Sequence, residues 1–362
     1  MKRVSIKPHW TIRFPDDKTL PPRLLGLLAQ VSEAGSLSAA CQRTGVSYRH
    51  AWDLIRQGEQ LFGAGLVEME RGRGSRLTPL GQKLVWADQR IAARLGPGLE
   101  SLASELETEI ERELKTSPIV LRIHATHGFA IETLCNLLST AGIAFDRKYG
   151  SSFEAAAALR DGACDLAGFH IPLGTQEARA LAHYARWFDP TRHVIIDMVT
   201  RRQGLMVAPG NPRKIYELAD LARGDVRFIN RQRNTGTRFL LEGLLEAAGV
   251  DGDRINGFEQ GEFTHAAVAA YVASDMADVG FGLEVPARRF KLDFIPLANE
   301  RYFLMCDAAT LELDVMRTVL DLLRSDAFSA TVNALPGYET HFAGRVLPLA
   351  ESFPALAAAP ER

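Results

Sequence analysis

Cysteine is scarce and scattered: Cys41, Cys135, Cys164 and Cys306 are the four in 362 residues, and none forms a CxxC pair. That spacing argues against a structural zinc site or a disulfide framework and fits a reducing compartment. Long apolar runs are also missing, and none approaches the ~20 residues that a membrane span needs. The opening MKRVSIKPHWTIRF is basic but lacks the apolar stretch of a secretory leader. The expectation is a cytoplasmic chain with no membrane contact. There is no GxGxxG after the first expected strand, no GxxxxGK[ST], no HExxH and no GxSxG. His124 and His127 stand three apart on a strand and its exit, on opposite faces, and make a poor metal pair. His170 and His183 have no evident partners. Neither catalytic residues, nor metal ligands, nor a cofactor are expected, and an enzyme is the least favoured class.

What is present is uneven. The net charge is −2, yet residues 1–83 hold thirteen Lys and Arg against seven Asp and Glu. That surplus of six leaves the remainder acidic by eight. A basic head on an acidic body points to a polyanion partner met by the head alone. At this length two or three domains are expected.

The head reads as helix, helix, turn, helix, hairpin. RVSIKPHWTIRF alternates like an exposed strand or arm. PPRLLGLLAQVSEAG is a helix stopped at Gly35, and SLSAACQRTG is a short helix capped by Ser36 and ended at Gly45. SYRHAWDLIRQGEQLFG restarts on Ser47, and GLVEMERGRGSRLTPLG gives two short strands around a basic tip. This is the order of a winged helix-turn-helix. In the third helix Tyr48, Arg49, His50, Asp53 and Arg56 lie opposite Ala51, Leu54 and Ile55, as a helix entering a major groove requires. Arg71, Arg73 and Arg76 on the wing can meet phosphates or a minor groove. Any one of these arginines could be a solvated surface charge; the ordered set points to double-stranded operator DNA.

GSLSAACQRTGVSYRHAWDLIRQGEQLFG and GLVEMERGRGSRLTPLGQKLV resemble the DNA-binding domain of ModE-type molybdate-responsive regulators and, more distantly, of LysR-type regulators. The resemblance covers roughly residues 20 to 90. It implies base-reading or backbone roles for Ser47, Tyr48, Arg49 and His50.

Leu84, Ile91, Leu95, Leu99, Leu102, Leu106 and Ile110 then mark an amphipathic linker helix, interrupted at Gly96-Pro97-Gly98, where a bend or break is expected. It either pairs with its copy in a homodimer or higher homo-oligomer or packs on its own chain.

From Ser117 strands alternate with helices: IVLRIHATH, IAFDRKYG, CDLAGFH, DVRFIN and ADVGFGL are strands, with helices between them. An open α/β fold follows, with two sheets expected, and ligands in such folds bind beyond the carboxyl ends of strands. Four loops there open helices with hydroxyls and unpaired N–H groups: Thr126 with His127, Ser151-Ser152, Asn234-Thr235-Gly236-Thr237, and Thr264-His265. Converging, they would cage a small anion; taken singly, each could be no more than a helix cap. Of Arg231, Arg233 and Arg238, the last is the one expected to aid the cage.

QGLMVAPGNP, DVRFINRQRNTGTRFLLEGLL, GEFTHAAVAAYVASDMADVGFG and LDFIPLANERYFL resemble periplasmic-binding-protein-type domains related to molybdate-binding proteins. The resemblance covers about residues 118 to 345 and implies two lobes closing on molybdate, tungstate or another small ligand. It places Thr126, Ser151, Thr235, Gly236, Thr264 and His265 in the oxyanion pocket. ATHG and the segment near Phe281 to Leu283 depart from the pattern.

The sequence therefore gives a winged helix-turn-helix (1–83), a linker helix (84–116), a two-lobed α/β sensor (117–350) and a disordered tail (351–362). The function expected is a ligand-responsive transcriptional regulator sensing an oxyanion such as molybdate or tungstate. The alternative is a LysR-style regulator that holds a carboxylate metabolite with an arginine fork.

Overall fold

A computed structural model describes residues 3–70, 74–114 and 120–357. The chain forms two compact units, residues 7–93 and residues 94–362 together with the arm up to Ile6.

In the head, an extended arm precedes α1 (Leu24–Ala34), α2 (Leu37–Thr44) and α3 (Tyr48–Phe62), followed by the hairpin β1 (Val67–Glu70) and β2 (Gly74–Leu77). The arm alternates exposed and half-buried residues but forms no strand beyond one bridge, Arg13 to Thr19. Each helix boundary has its expected chemistry. Gly35, Gly45 and Gly63 end their helices in the left-handed region, and the Ser36 and Ser47 hydroxyls accept from Ala39 N and His50 N. Leu24, Leu28, Leu37, Ala40, Ala51 and Ile55 make the core. Gly58 lets α3 approach it: a Cβ there would stand 2.4 Å from Leu24 Cδ2. The winged helix-turn-helix expected from the sequence is the observed fold.

Helix α4 (Pro79–Glu113) contradicts the expected break. It runs uninterrupted through Gly96-Pro97-Gly98 and starts five residues before the expected linker. Pro97 is buried within it, and the Ser101 hydroxyl donates to Pro97 O at 2.9 Å.

The larger unit is α/β. Its first lobe contains β3 (Leu121–Ala125), α5 (Phe129–Thr140), β4 (Phe145–Tyr149), α6 (Ser152–Arg160), β5 (Leu166–Pro172) and α7 (Glu177–Tyr184). A 15-residue strand, β6 (His193–Val207), leads to the second lobe: β7 (Phe228–Arg231), α8 (Gly236–Ala247), β8 (Gly261–Glu262), α9 (His265–Ala273), β9 (Val279–Leu283) and α10 (Glu284–Arg289). The 15-residue β10 (Asp293–Asp307) returns. Two helices, α11 (Asp314–Arg324) and α12 (Asp326–Asn333), and two short strands, β11 (Tyr338–Glu339) and β12 (Val346–Pro348), follow in the first lobe.

The strand order is β4-β3-β5-β10-β6-β9-β7-β8, with β11 and β12 on β6. Two separate sheets were expected; the structure has one continuous ladder. Each lobe is parallel among its own short strands, and antiparallel β6 and β10 pass through both lobes. Edge strand β4 is covered by α4: the Ser104 and Ser101 hydroxyls accept from Arg147 N (2.7 Å) and Tyr149 N (2.9 Å). The opposite side of that helix keeps Leu95, Leu102, Leu106 and Ile110 exposed. A second correction concerns the tail. Phe353 and Leu356 are buried in the core around Phe303, so order extends beyond residue 350, and 358–362 lie outside the described residues.

Candidate functional site

In the head, the face of α3 turned to solvent carries Ser47, Tyr48, Arg49, His50, Asp53 and Arg56, all exposed. The Tyr48 ring meets Trp52 edge-on at 6.3 Å, which fixes the first turn of the helix. The wing is fastened to the start of α2, because Ser75 N donates to Gly35 O (3.2 Å) and Ser75 Oγ accepts from Leu37 N (3.2 Å). Arg76 is exposed on β2; Arg71 and Arg73 lie outside the described residues.

In the larger unit a cavity of about 590 Å³ opens where the carboxyl ends of the short strands face each other. Thr126, His127, Ser151 and Ser152 line it from the first lobe. Asn234, Thr235, Gly236 and Thr237 line it from the second, together with Thr264 and His265. The four expected loops do converge. Their hydroxyls are not equivalent, however. Ser151 Oγ accepts from Glu154 N (3.2 Å) and Thr264 Oγ1 from Ala267 N (2.9 Å), as helix caps. Thr235 Oγ1 accepts from Arg238 N (3.3 Å) and donates to Gln232 O (2.9 Å), so its lone proton is committed to its own turn. Asn234 holds that turn with φ +64°. Thr237 Oγ1 accepts from Gln203 Nε2 (3.2 Å), which leaves its proton for the cavity. Gly236 is required by a close approach: a Cβ there would stand 2.6 Å from His170 Nε2.

Arg238 is not in the cage. Its guanidinium donates to Glu242 (3.0 Å) and Glu259 (2.8 Å) and stacks on Phe258. A position one turn into α8 points the side chain back along the outside of the helix, toward those carboxylates. Arg233, at the mouth, also pairs with Glu259.

The charge in the cavity comes instead from strands. Arg201 on β6 is fully buried, donates from Nε to Glu300 Oε1 on β10, and stacks on Tyr302. Arg231, at the end of β7, donates to the carbonyls of Glu262 (3.2 Å) and Phe263 (2.7 Å), while its Nη1 is buried without a hydrogen-bond partner among the described residues. Burial, then the charge of Arg201, pulls its pKa down to about 9, with Glu300 opposing; it is a cation at neutral pH. Three histidines surround it. Burial, then the nearby arginines, pushes His127 down to about 4. Burial also pushes His170 to about 4, against the pull of Glu300. His265 is driven well below its ordinary value by burial and then Arg231. All three are neutral at pH 7. Thr126 Oγ1, the Tyr149 hydroxyl and both His170 nitrogens are further buried polar atoms of this wall without a hydrogen-bond partner among the described residues. A wall of unpaired donors around an unpaired cation is built to take an anion.

Arg201, His170, Tyr149 and Glu300 were not among the expected site residues, and Arg231 entered only with Arg233 and Arg238 as an arm of the alternative arginine fork for a carboxylate. A signal existed: Arg201 and Gln203 stand at alternate positions near the middle of one long strand and Glu300 near the middle of another, each strand with apolar runs on both sides. Ions of opposite sign inside apolar strands are costly unless paired or used. Among the described residues no three His, Cys, Asp or Glu side chains are placed to hold a metal, and no helix is long and apolar enough to cross a membrane.

Comparison with known proteins follows this geometry. YvgK of Bacillus subtilis, itself uncharacterised, is 32% identical over 201 residues, 56% of this chain and 65% of that protein. The molybdenum-pterin-binding protein MopB of Rhodobacter capsulatus is 32% identical over 121 residues, 32% of this chain and 43% of MopB. The DNA-binding transcriptional dual regulator ModE of Escherichia coli is 34% identical over 79 residues, 21% of this chain and 30% of ModE. The chain thus spans less than two thirds of each of these relatives. Residues 22–82 match the bacterial regulatory helix-turn-helix of the lysR family, and residues 136–324 match the PBP superfamily domain. The chain therefore belongs to the PBP superfamily, and its binding-protein domain follows a lysR-family helix-turn-helix.

Proposed function

We propose that this protein is a ligand-responsive transcriptional regulator whose effector is a small anion held in the 590 Å³ cavity. One observation carries the reading. The same chain that presents a winged helix-turn-helix buries an unpaired arginine, Arg231, where four helix N-termini meet. Arg231 Nη1 is the anchor, and Thr126, Thr237 and the neutral histidines supply further donors. The exposed face of α3, with Ser47, Tyr48, Arg49, His50 and Arg56, reads operator DNA, and the wing with Arg71, Arg73 and Arg76 meets its backbone. Leu95, Leu102, Leu106 and Ile110, exposed on α4, pair two copies over a two-fold operator. A monomeric mass at micromolar concentration in sedimentation would remove that interface. Because β6 and β10 belong to both lobes, closure on the anion must bend these two strands. Its differential affinity for the closed state is what shifts operator binding.

Molybdate and tungstate are the first effectors to test, since MopB and ModE are relatives and small oxyanions suit helix N-termini. A carboxylate metabolite is the second, favoured by the buried guanidinium and by a cavity larger than one tetrahedral oxyanion. Calorimetric titration with molybdate, tungstate, sulfate and phosphate decides. Selective binding of the first two supports an oxyanion sensor; silence from all four refers the cavity to an organic acid.

A further inference from the structure

An anion is buried directly behind the cavity wall, against Arg201 and His170. Arg201 and Glu300 are register partners on β6 and β10, both fully buried, and the Arg201 Nε donates to Glu300 Oε1. Of the charges buried at this wall, Arg201 and Arg231 are positive and Glu300 is negative, so the buried groups carry a net charge of +1, while Glu154, Arg186 and Arg233 line the cavity from exposed positions where water screens them. A monoanion balances the buried charge. A dianion would leave one negative charge away from water, which is costly unless a group nearby takes up a proton.

We propose that Glu300 sets the valence of the effector: the site takes a monoanionic group as it stands, and takes a dianion only with one proton, held by His170. This rests on the cavity being the effector site. His170 is singled out by geometry. Its Nε2 stands 3.6 Å from Glu300 Oε2, so an imidazolium there has a carboxylate to face. His265 is tied differently: its Nδ1 accepts from Leu283 N (3.3 Å), which fixes a neutral ring with Nε2–H free to donate. His127 lies edge-on to Tyr149, and its charged neighbours are Arg231, Arg147 and Arg201, all cations.

The groups facing His170 are Glu300 on β10, Arg201 on β6, Arg231 on β7 and His265 on α9, with the Tyr302 ring stacked at 6.3 Å. The first turn of α8 also approaches it at Gly236. In the empty site the two arginines, that helix end and burial outweigh Glu300 and keep His170 neutral. A dianion beside Arg231 reverses the balance. The proton comes from solvent and ends on His170, and no covalent bond changes.

Tungstate and perrhenate test this, being tetrahedral oxyanions of similar size with charges of −2 and −1. Each is titrated into the full chain between pH 6 and 8, in buffers of different ionisation enthalpy, so that protons are counted. Perrhenate should bind with no proton uptake and an affinity independent of pH. Tungstate should take up close to one proton, and its affinity should fall about tenfold for each unit of rising pH. In His170→Gln the tungstate proton count should go to zero, with perrhenate binding as the check that the cavity is intact. In Glu300→Gln, once a melting curve confirms the fold, tungstate should bind without proton uptake. PH-independent tungstate binding in the wild type, or uptake that survives His170→Gln, overturns the valence rule and leaves the effector site standing. If neither anion binds, the oxyanion reading of the cavity and this rule fall together.

Discussion

Two regions of this chain present cations, and they do so by opposite physics. On the head, Arg49 and Arg56 stand in water on a rigid helix, with Arg76 on the strand of the wing. Charges so placed interact over a Debye length, are screened by salt, and gain from number more than from any one contact. In the cavity, Arg201 and Arg231 are buried, and the charge of Arg201 adds to burial in lowering the preference of Arg231 for charge. There each hydrogen bond counts separately, since nothing in solvent replaces it. The exposed set suits a long polyanion, and the buried pair suits one small ion of defined charge.

Removing the buried, unpaired cation should separate the two regions most sharply. Arg231→Met should weaken anion binding by on the order of 100-fold, as expected for a buried charge contact, and leave operator affinity in the absence of anion unchanged. It should also raise the melting temperature of the empty protein, because a desolvated guanidinium without a carboxylate partner is destabilising. Unchanged anion affinity would refute the anchor. Salt should divide the regions next. Between 50 and 200 mM the operator affinity should fall by roughly 100-fold or more. Affinity for a buried anion should move by less than about threefold. Parallel slopes would mean that the anion binds on the surface. Arg49→Ala should weaken operator binding by about tenfold and leave anion titrations as they were.

A smaller effect concerns pH and the empty cavity. His127 and His170 titrate near 4 in the folded protein and near 6.5 when unfolded. Between those values the unfolded chain binds more protons, so their contribution is present above about pH 6.5 and is lost as pH falls toward 4. The melting temperature should therefore drop between pH 7 and 5, less so in His170→Gln; a flat profile would argue that these rings are hydrated. Thr235→Val should matter least to the ligand. It removes an N-cap, at about 1 kcal/mol of stability, and should change anion affinity by less than about threefold, since the hydroxyl proton is already held by Gln232 O.

The head was legible because its signals are local. Ser36 and Ser47 cap where a side chain three residues upstream of an N–H must, and Gly35, Gly45 and Gly63 sit where left-handed backbone ends a helix. The four loops of the cavity were legible for the same reason, each being a strand exit followed by a helix start, three of them with a capping hydroxyl. What escaped is non-local. Arg201 and Glu300 lie 99 residues apart and meet because β6 and β10 pair in one register. That pairing also makes one sheet where two were expected. Arg238 was misplaced because Glu242 on α8 and Glu259, 21 residues away in the segment before β8, draw its guanidinium out of the cavity. Pro97 misled in a different way: flanking glycines suggested a bend or break, but the packing of α4 on β4 through Ser101 and Ser104 holds the helix through it.

The most direct test of the effector cavity is a crystal of the full chain grown with tungstate, measured at the tungsten absorption edge. An anomalous peak within hydrogen-bond reach of Arg231 Nη1 and Thr126 Oγ1 is the predicted result. A cavity without a peak, or peaks confined to the exposed arginines of the head, would contradict it.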